Sequence, residues 1–330
     1  MIHWYHVILG HGGQERLTRS LQVHLHFPGL KEKVKSFVES CDDCQRYKNN
    51  NRGYGHLPPR DDYGAPFEEV LLDHVGPWTI EVPGLGRLSF HALTIMDAAS
   101  ALLELVRVDS LDGEATSLAF ENTWLARYPR PTRAVYDAAG CFHGPAFQLT
   151  LNRESITPVP ITVKNPQSNA IVERAHLTIG DMLRSYQSAN TPANVGSAIE
   201  LVDTILASAQ RAMRASIHKS MGISPGAAVF GRDMLLNVPV LVEFDRINQR
   251  RQAVADRNNA MENRRRRHKN YNIGDEVLIL AHNPTKMGAR AIGPFVITQV
   301  HVNGTVTIRR RHNVFERINI RRIKPYIRRN

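Results

Sequence analysis

Two pairs of zinc-type side chains lie near the start of the chain. His6 and His11 are separated by four residues, and Cys41 and Cys44 are separated by two. Structural zinc takes four nitrogen or sulfur ligands in a closed tetrahedron, so the two pairs would complete one site. The alternative is a redox C-x-x-C pair beside incidental histidines, and His3 competes with His6 as the first ligand. We favour structural zinc, because a segment of about 45 residues is too small to fold on core burial alone.

Three carboxylates form a second constellation. Asp73 and Asp137 each end a strand-like run, and Glu173 lies early in a helix-like segment, with 35 residues between Asp137 and Glu173. Carboxylates at strand ends and a helix start can converge at one edge of a sheet. Oxygen ligands suit Mg²⁺, and two such ions would activate a nucleophile and stabilise a leaving oxygen. A lone Asp at a strand end more often caps a turn, so the joint pattern carries the prediction.

Basic residues are concentrated at the C-terminal end. Residues 245–330 hold 20 Lys and Arg against 6 Asp and Glu, which leaves 22 basic and 25 acidic residues in the remainder. The clusters are Arg264-Arg265-Arg266-Arg267-His268-Lys269, Arg309-Arg310-Arg311, Arg321-Arg322-Ile323-Lys324 and Arg328-Arg329. Three or more clusters in one small region favour salt-sensitive contact with phosphates. A single cluster alone could be a solvated surface or, for the first run, a localisation signal.

The overall composition excludes several classes of protein. The 330 residues are 42% hydrophobic and 22% charged, which is a globular balance, and the net charge of +11 favours a polyanionic partner. Three cysteines rule out a disulfide scaffold. We expect no transmembrane helix and no secretory signal, because no long apolar run and no basic segment followed by an apolar core are present.

Hydrophobic spacing predicts the elements that position these residues. Predicted helices cover Gln14–Leu25, Leu30–Ser40, Glu114–Arg127, Ser168–Gln187 and Asn194–Ala215. Predicted strands cover Glu69–Asp73, Leu88–Met96, Ala101–Val108, Arg133–Tyr136, Thr157–Thr162, Gly274–Leu280, Gly293–Val300 and Thr305–Arg309. Strands that alternate with helices in the middle of the chain indicate one α/β domain, and the late strands indicate a small β-barrel.

These elements predict a multidomain α/β protein with five segments. They are a zinc-binding helical head (1–50), a linker (51–66), an α/β core (67–220), a charged and helical connector (221–271) and a basic β-barrel (272–330).

Several short motifs resemble those of one family, in the same order along the chain. The motifs are His6-x4-His11, Cys41-x2-Cys44, Asn165-Pro166-Gln167-Ser168-Asn169 followed by Val172-Glu173-Arg174, Ser224-Pro225, and Gly293-Pro294-Phe295. Each motif is modest alone, but the series covers nearly the whole chain. The chain resembles the integrase of a gypsy-type LTR retrotransposon, which is related to retroviral integrases.

The resemblance implies an RNase H-like catalytic core, an SH3-like C-terminal barrel and a D,D(35)E triad of Asp73, Asp137 and Glu173. It implies one structural Zn²⁺ on His6, His11, Cys41 and Cys44, two catalytic Mg²⁺ or Mn²⁺ ions on the triad, and no organic cofactor. The implied activity is 3′-end processing and strand transfer of element DNA into target DNA by a homo-multimer in the nucleus, with no membrane partner. Candidate DNA contacts are Lys164, Asn169, Arg174, Arg184, Arg264, Arg265, Arg266, Arg267, Arg321, Arg322 and Lys324.

The segment after the second aspartate departs from the family pattern. It reads Asp137-Ala138-Ala139-Gly140-Cys141-Phe142, with Gly one place late and Cys141 in place of a polar residue. We interpret Cys141 as a packing residue rather than a nucleophile. Two alternative functions remain open, a host-adopted or decayed DNA-binding scaffold without catalysis and a cut-and-paste transposase.

Overall fold

The computed structural model describes residues 1–49, 52–59, 64–84, 86–160, 170–187, 192–282 and 284–329. The chain forms two compact units, one made of Met1–Pro59 with Arg257–Asn330 and the other of Arg60–Asp256. The first unit is therefore built from both ends of the chain. Within the described ranges, no helix is long and apolar enough to cross a membrane.

The N-terminal part of the first unit is helical, as the spacing predicts. Its helices are α1 (Ile2–Ile8), α2 (Gln14–Gln22), α3 (Leu30–Glu39) and α4 (Asp42–Tyr47). We call this segment the zinc head. Its buried apolar cluster consists of four side chains, Leu17, Leu21, Leu30 and Val34. A core of that size contributes little free energy of folding, so the head needs a further source of stability.

The second unit is built on a five-stranded sheet. Its strands are β1 (Glu69–Val82), β2 (Gly86–Asp97), β3 (Leu103–Val108), β4 (Arg133–Tyr136) and β5 (Thr157–Pro160). The strand order is β3-β2-β1-β4-β5, in which β1, β2 and β3 are antiparallel while β4 and β5 run parallel to β1. β1 is longer than predicted, because it continues past a register shift between Val75 and Trp78.

Helices cover both faces of this sheet. They are α5 (Gly113–Phe120), which continues into a π-helical turn (Glu121–Leu125), α6 (Gly140–His143), α7 (Pro145–Arg153), α8 (Ala170–Gln187), α9 (Val195–Ala215) and α10 (Pro225–Phe230). Phe120, Trp124 and Phe147 are fully buried in the cluster of one face, and Val172 and Ile179 in the cluster of the other. The two apolar clusters are large, so this unit can fold on core burial.

The connector contains one long helix, α11 (Phe244–Arg265). Its Arg251 is buried in the second unit, where the guanidinium donates to the carbonyls of Ala98 and Ala99 in the turn after β2. Those carbonyls would otherwise be buried acceptors without a donor. The first part of α11 is therefore fixed to the sheet.

The C-terminal part of the first unit is a second five-stranded sheet. Its strands are β6 (Glu276–Leu280), β7 (Ala291–Val300), β8 (Thr305–Arg311), β9 (Val314–Asn319) and β10 (Ile323–Pro325). The order is β10-β6-β7-β8-β9, with every neighbouring pair antiparallel. Among the described strands no pairing joins β9 to β10, so the structure shows a sheet, and closure into an SH3-like barrel stays a proposal.

The predicted linker is in part ordered against the end of α11. Asn263 exchanges two hydrogen bonds with the backbone of Leu57 (2.8 and 3.1 Å), and Asn259 donates to the carbonyl of Pro58 (3.1 Å). Leu57 and Tyr54 also pack into the apolar cluster of the C-terminal sheet. Residues 52–59 therefore help to complete that core, which their polar composition did not indicate.

Candidate metal centres

The four predicted zinc ligands are presented by two helix ends. His6 lies near the end of α1, and His11 follows in a turn with a left-handed backbone (φ 58°). Cys41 precedes α4 and Cys44 lies within it. The turn after α1 and the turn before α4 thus aim all four side chains at one point.

The ligand atoms lie at distances that suit one tetrahedral ion. The Sγ of Cys41 is 3.5 Å from Nδ1 of His11, and the Sγ of Cys44 is 3.3 Å from Nε2 of His6 and 3.9 Å from Nδ1 of His11. All four atoms lie within 4.8 Å of one another. Zn–S and Zn–N bond lengths give tetrahedral edges of about 3.3–3.8 Å. The donor set and spacing fit zinc, and among the described residues this is the one such group that contains both His and Cys. His3 lies outside it.

Neighbouring groups set the protonation and orientation of these ligands. Burial lowers the pKa of His6, which keeps its imidazole neutral, and burial raises the pKa of Cys44 while Lys48 opposes that rise. Zinc must therefore displace the thiol proton when it binds. Nε2 of His11 faces the Asp43 carboxylate at 3.8 Å, and Lys48 donates to the His11 carbonyl. A carboxylate on the outer nitrogen orients a metal-binding imidazole.

The first two carboxylates lie on neighbouring strands at the point where β4 ends. Leu72 of β1 is paired in parallel register with Tyr136 of β4. Asp73 is the next residue within β1, which continues to Val82 instead of ending there as predicted, and Asp137 directly follows β4; neighbouring strands lie about 4.8 Å apart. Asp137 accepts a hydrogen bond from the amide of Ala139 (2.9 Å), which fixes the orientation of its carboxylate.

Glu173 is placed in part. It lies in the first turn of α8 and follows Val172, which is fully buried against the sheet that carries Asp73. The Glu173 side chain lies outside the described side chains. The structure therefore places Asp73 and Asp137 on neighbouring strands. It places the backbone of Glu173 in α8, which packs on the same sheet. Carboxylate oxygens are donors of the kind that Mg²⁺ or Mn²⁺ prefers.

Two partly buried histidines flank these carboxylates, and sequence reasoning missed both. His176 lies one turn after Glu173 on α8, where Nε2 is 2.9 Å from the Thr94 hydroxyl and Nδ1 is 3.9 Å from the Asp73 carboxylate. Burial lowers its pKa to about 4, so the imidazole is neutral at pH 7. Its three-residue spacing from Glu173 is the one signal that could have identified it, because i and i+3 share a helix face.

His74 occupies the other side of β1. Its nitrogens lie 3.3 Å from the Thr116 hydroxyl and 3.4 Å from the Cys141 thiol, and its ring stacks on Phe142 with centroids 4.9 Å apart. Burial lowers the pKa of His74 to about 4, although the nearby Asp137 charge opposes this. Burial raises the pKa of Cys141, which disfavours the thiolate. That environment suits a packing residue rather than a nucleophile.

The candidate DNA contacts have varied positions. Lys164 and Asn169 lie outside the described residues, as does the side chain of Arg174. Arg184 is exposed on α8 beside Asp181, and Arg264 and Arg265 are exposed at the end of α11. Arg264 and Arg265 remain available to phosphates, whereas Arg184 is ion-paired with Asp181.

Arg266 points into the first unit instead. Its guanidinium donates to the carbonyls of Gly55 and Tyr54 at 2.5 Å each, and the side chain is 6% exposed. Burial lowers its pKa. It could reach a phosphate only by leaving these acceptors, so we remove it from the proposed DNA contacts. A run of four arginines cannot show which one faces inward.

The remaining basic candidates are also engaged or buried in part. Arg267 donates to the Tyr54 hydroxyl (2.8 Å), and Arg321 pairs with Glu262. Burial lowers the pKa values of Arg322 and Lys324, and Lys324 is 7% exposed on β10. Burial of this kind leaves Lys324 a weak candidate for phosphate contact.

Three comparisons with known proteins bear on these centres. The integrase zinc-binding domain family matches residues 1–50. The Pro-Pol polyprotein of Feline foamy virus is 23% identical over 230 residues, which cover 68% of this chain and 18% of that protein. The retrovirus-related Pol polyprotein from transposon 412 of Drosophila melanogaster is 18% identical over 181 residues, or 55% of this chain and 14% of that protein. The matches thus span less than a fifth of either polyprotein.

A solved structure shares the fold. A chain in the structure of the simian T-cell lymphotropic virus intasome in complex with PP2A regulatory subunit B56 gamma superposes with a TM-score of 0.66, covering 99% of both chains at 13% identity. At that identity the match shows the fold alone.

Proposed function

We propose that this chain is a DNA strand transferase of the gypsy-type retrotransposon class. It resembles retroviral-type integrases in its zinc-binding head, its polyprotein relatives and its fold. The observation that carries the proposal is the placement of Asp73 and Asp137 after paired residues of neighbouring parallel strands, with α8 packed on the same sheet. The zinc-type cluster and the matched family support the same assignment.

In this proposal Asp73, Asp137 and Glu173 hold two Mg²⁺ or Mn²⁺ ions. When bound, such ions activate an attacking oxygen and stabilise the leaving oxygen of a phosphodiester. The chain itself supplies the carboxylates, and the Ala139 amide orients that of Asp137. Water attacks a phosphodiester near the 3′ end of the element DNA and releases the terminal nucleotides. The freed 3′ hydroxyl then attacks a phosphodiester of the target DNA, whose own 3′ oxygen leaves. No nucleophilic side chain is required, which agrees with the buried state of Cys141.

The proposed DNA-binding surface uses the exposed arginines. Arg264, Arg265, Arg309 and Arg311 are exposed in the described part of the first unit. Such contacts with phosphates position DNA without reading its sequence and weaken with salt. Joining two DNA ends requires more than one active site, so we propose a homo-multimer, and its DNA substrate implies a nuclear location.

The test is a disintegration assay, in which the enzyme reseals a branched DNA and the natural DNA ends need not be known. We expect Mn²⁺- or Mg²⁺-dependent resealing by the unmodified chain. Glu173→Gln and Asp137→Asn should each lower the rate by roughly 10⁴–10⁶-fold, the scale of losing one member of a catalytic unit. DNA binding, measured by fluorescence anisotropy, should persist.

The matched control is Glu200→Gln on α9, because this residue is exposed. It should retain full activity. Retained activity in Glu173→Gln would show that the triad is misassigned. If the unmodified chain binds DNA and zinc but reseals nothing, it is a DNA-binding scaffold rather than an enzyme.

A further inference from the structure

The short helix α4 has two functions in the first unit, because its two sides contact different partners. One side carries Cys44 and lies next to Cys41, the residue just before the helix. Both cysteines belong to the zinc-type cluster. The other side contacts the C-terminal segment of the chain. We call residues 326–329 the C-terminal tail.

The tail is held on α4 by paired hydrogen bonds. The Gln45 side chain donates to the carbonyl of Ile327 (3.0 Å) and accepts from its amide (2.9 Å). This reciprocal pair mimics the pairing of two strands, so it recognises an extended backbone. The Tyr326 hydroxyl adds a bond to the Asp42 carboxylate (3.0 Å), which also accepts from Arg46 (2.7 Å).

Further contacts extend this interface on both sides. The amide of Arg290, just before β7, donates to the carbonyl of Arg46 (2.9 Å). The Arg329 guanidinium lies 4.1 Å from the ring centre of Phe37 on α3, and Phe37 contacts His6 edge to face at 5.4 Å. A ligand of the cluster and a residue of the tail therefore share one aromatic ring.

The tail is also anchored to the C-terminal sheet. Tyr326 donates its amide to the carbonyl of Glu276 (2.9 Å), and Arg328 makes two bonds of 2.6 Å to the Glu276 carboxylate. Whatever fixes the tail to α4 thus connects the zinc head with β6. A cavity of about 420 Å³ lies beside this contact, lined by His3, Tyr326 and residues of the cluster.

A helix of six residues such as α4 is not stable by itself. The position of α4 therefore depends on what holds its first turn in place. Two residues of that region, Cys41 just before the helix and Cys44 within it, belong to the zinc-type cluster. We propose that zinc binding organises α4 as a docking surface for the C-terminal tail, so that the zinc head and the basic C-terminal sheet are coupled through Gln45 and Asp42. The inference rests on the zinc part of the proposed function and does not depend on strand transfer.

The experiment is amide hydrogen exchange on the full chain, after the zinc content has been measured. In the zinc-loaded chain we expect the peptide 323–329 to be protected. Chelation of zinc should speed the exchange of the Ile327 amide within this peptide roughly tenfold, because the bond to Gln45 that protects it is lost. Peptides from β1 and β8 should not change, which would exclude global unfolding.

A substitution separates docking from zinc binding. Gln45→Ala, with zinc bound, should give the peptide 323–329 the fast exchange of the chelated chain while α2 and α3 stay protected. Gln22→Ala is the matched control, since Gln22 is exposed on α2, and it should leave exchange unchanged.

Two results would overturn the inference in distinguishable ways. If chelation exposes α1 to α4 but the tail keeps its protection, zinc does not control docking although the zinc site itself stands. A chain that binds no zinc fails at the first measurement, which refutes the zinc site and the coupling together but leaves the assignment of the carboxylate triad untouched.

Discussion

The two candidate metal centres differ in how much of the fold depends on them. The zinc head has four fully buried apolar side chains and a cluster that draws two helix ends together. Asp73 and Asp137 of the second unit lie on a sheet whose two faces are covered by large apolar clusters. In our proposal a metal replaces a missing core in the head, whereas the core of the second unit holds carboxylates in place for catalytic metal ions.

The largest expected difference in stability appears when one ligand is removed from the zinc head and one carboxylate from the second unit. Cys44→Ser should unfold the zinc head, because structural zinc supplies about 10–16 kcal/mol that is coupled to folding. Asp137→Asn should leave the thermal unfolding of the second unit within a few degrees of the unmodified protein. Circular dichroism and zinc content measure the first effect, and calorimetry measures the second. Equal destabilisation by both substitutions would remove the distinction between the two centres.

The histidines beside the carboxylates, His74 and His176, should make the stability of the second unit depend on pH. The folded-state pKa values of His74 and His176 are about 4, below the ordinary 6.5, because both rings are buried. The unfolded chain therefore takes up protons first as the pH falls, and stability that is complete above pH 6.5 is lost progressively between pH 6.5 and 4. Each histidine should contribute about 1.4 kcal/mol per pH unit within that window.

Urea unfolding of the full chain at pH 7, 6 and 5, without added Mg²⁺ or Mn²⁺, measures this dependence. His176→Asn should reduce the slope of stability against pH by about 1.4 kcal/mol per pH unit, the contribution of that one ring. His143→Asn, at an exposed position of the same unit, should leave the slope unchanged. A slope that does not respond to His176→Asn would mean that this ring is not kept neutral by burial.

The smallest expected effect concerns the carboxylate behind a zinc ligand. Asp43→Asn removes the charge that faces Nε2 of His11. Zinc affinity should fall about tenfold, the lower end for such outer partners, because the carboxylate is largely exposed. Competition with a coloured chelator measures it, and Glu15→Gln on α2 is the control. An unchanged affinity would show that the 3.8 Å approach contributes nothing to the orientation of His11.

Local spacing predicted the zinc cluster well, because each pair of ligands is close in sequence and needs only one turn of chain. The strands that carry Asp73 and Asp137 were also predicted, since each is a short apolar run. The length of β1 was underestimated, because Gly76-Pro77 reads as a break in sequence while the structure accommodates it as a bulge within the strand.

The features that could not be predicted depend on the tertiary fold. His74 and His176 have ordinary neighbours in sequence, and their burial arises only when α5 to α8 cover the sheet. The inward position of Arg266 depends on the carbonyls of Tyr54 and Gly55, which approach it from more than 200 positions earlier in the chain. The polar composition of residues 52–59 likewise concealed that Leu57 belongs to a core.

The contact between residues 52–59 and the end of α11 has a consequence for biosynthesis. Both partners belong to the first unit, but residues 60–256 separate them in the chain. A ribosome that adds roughly 5–20 residues per second needs on the order of ten seconds or more to bridge that interval. Leu57 and Tyr54 must wait for partners that are synthesised after the second unit, which can fold meanwhile. Vectorial synthesis therefore makes the first unit assemble after the second, and its early residues stay without their partners during that interval.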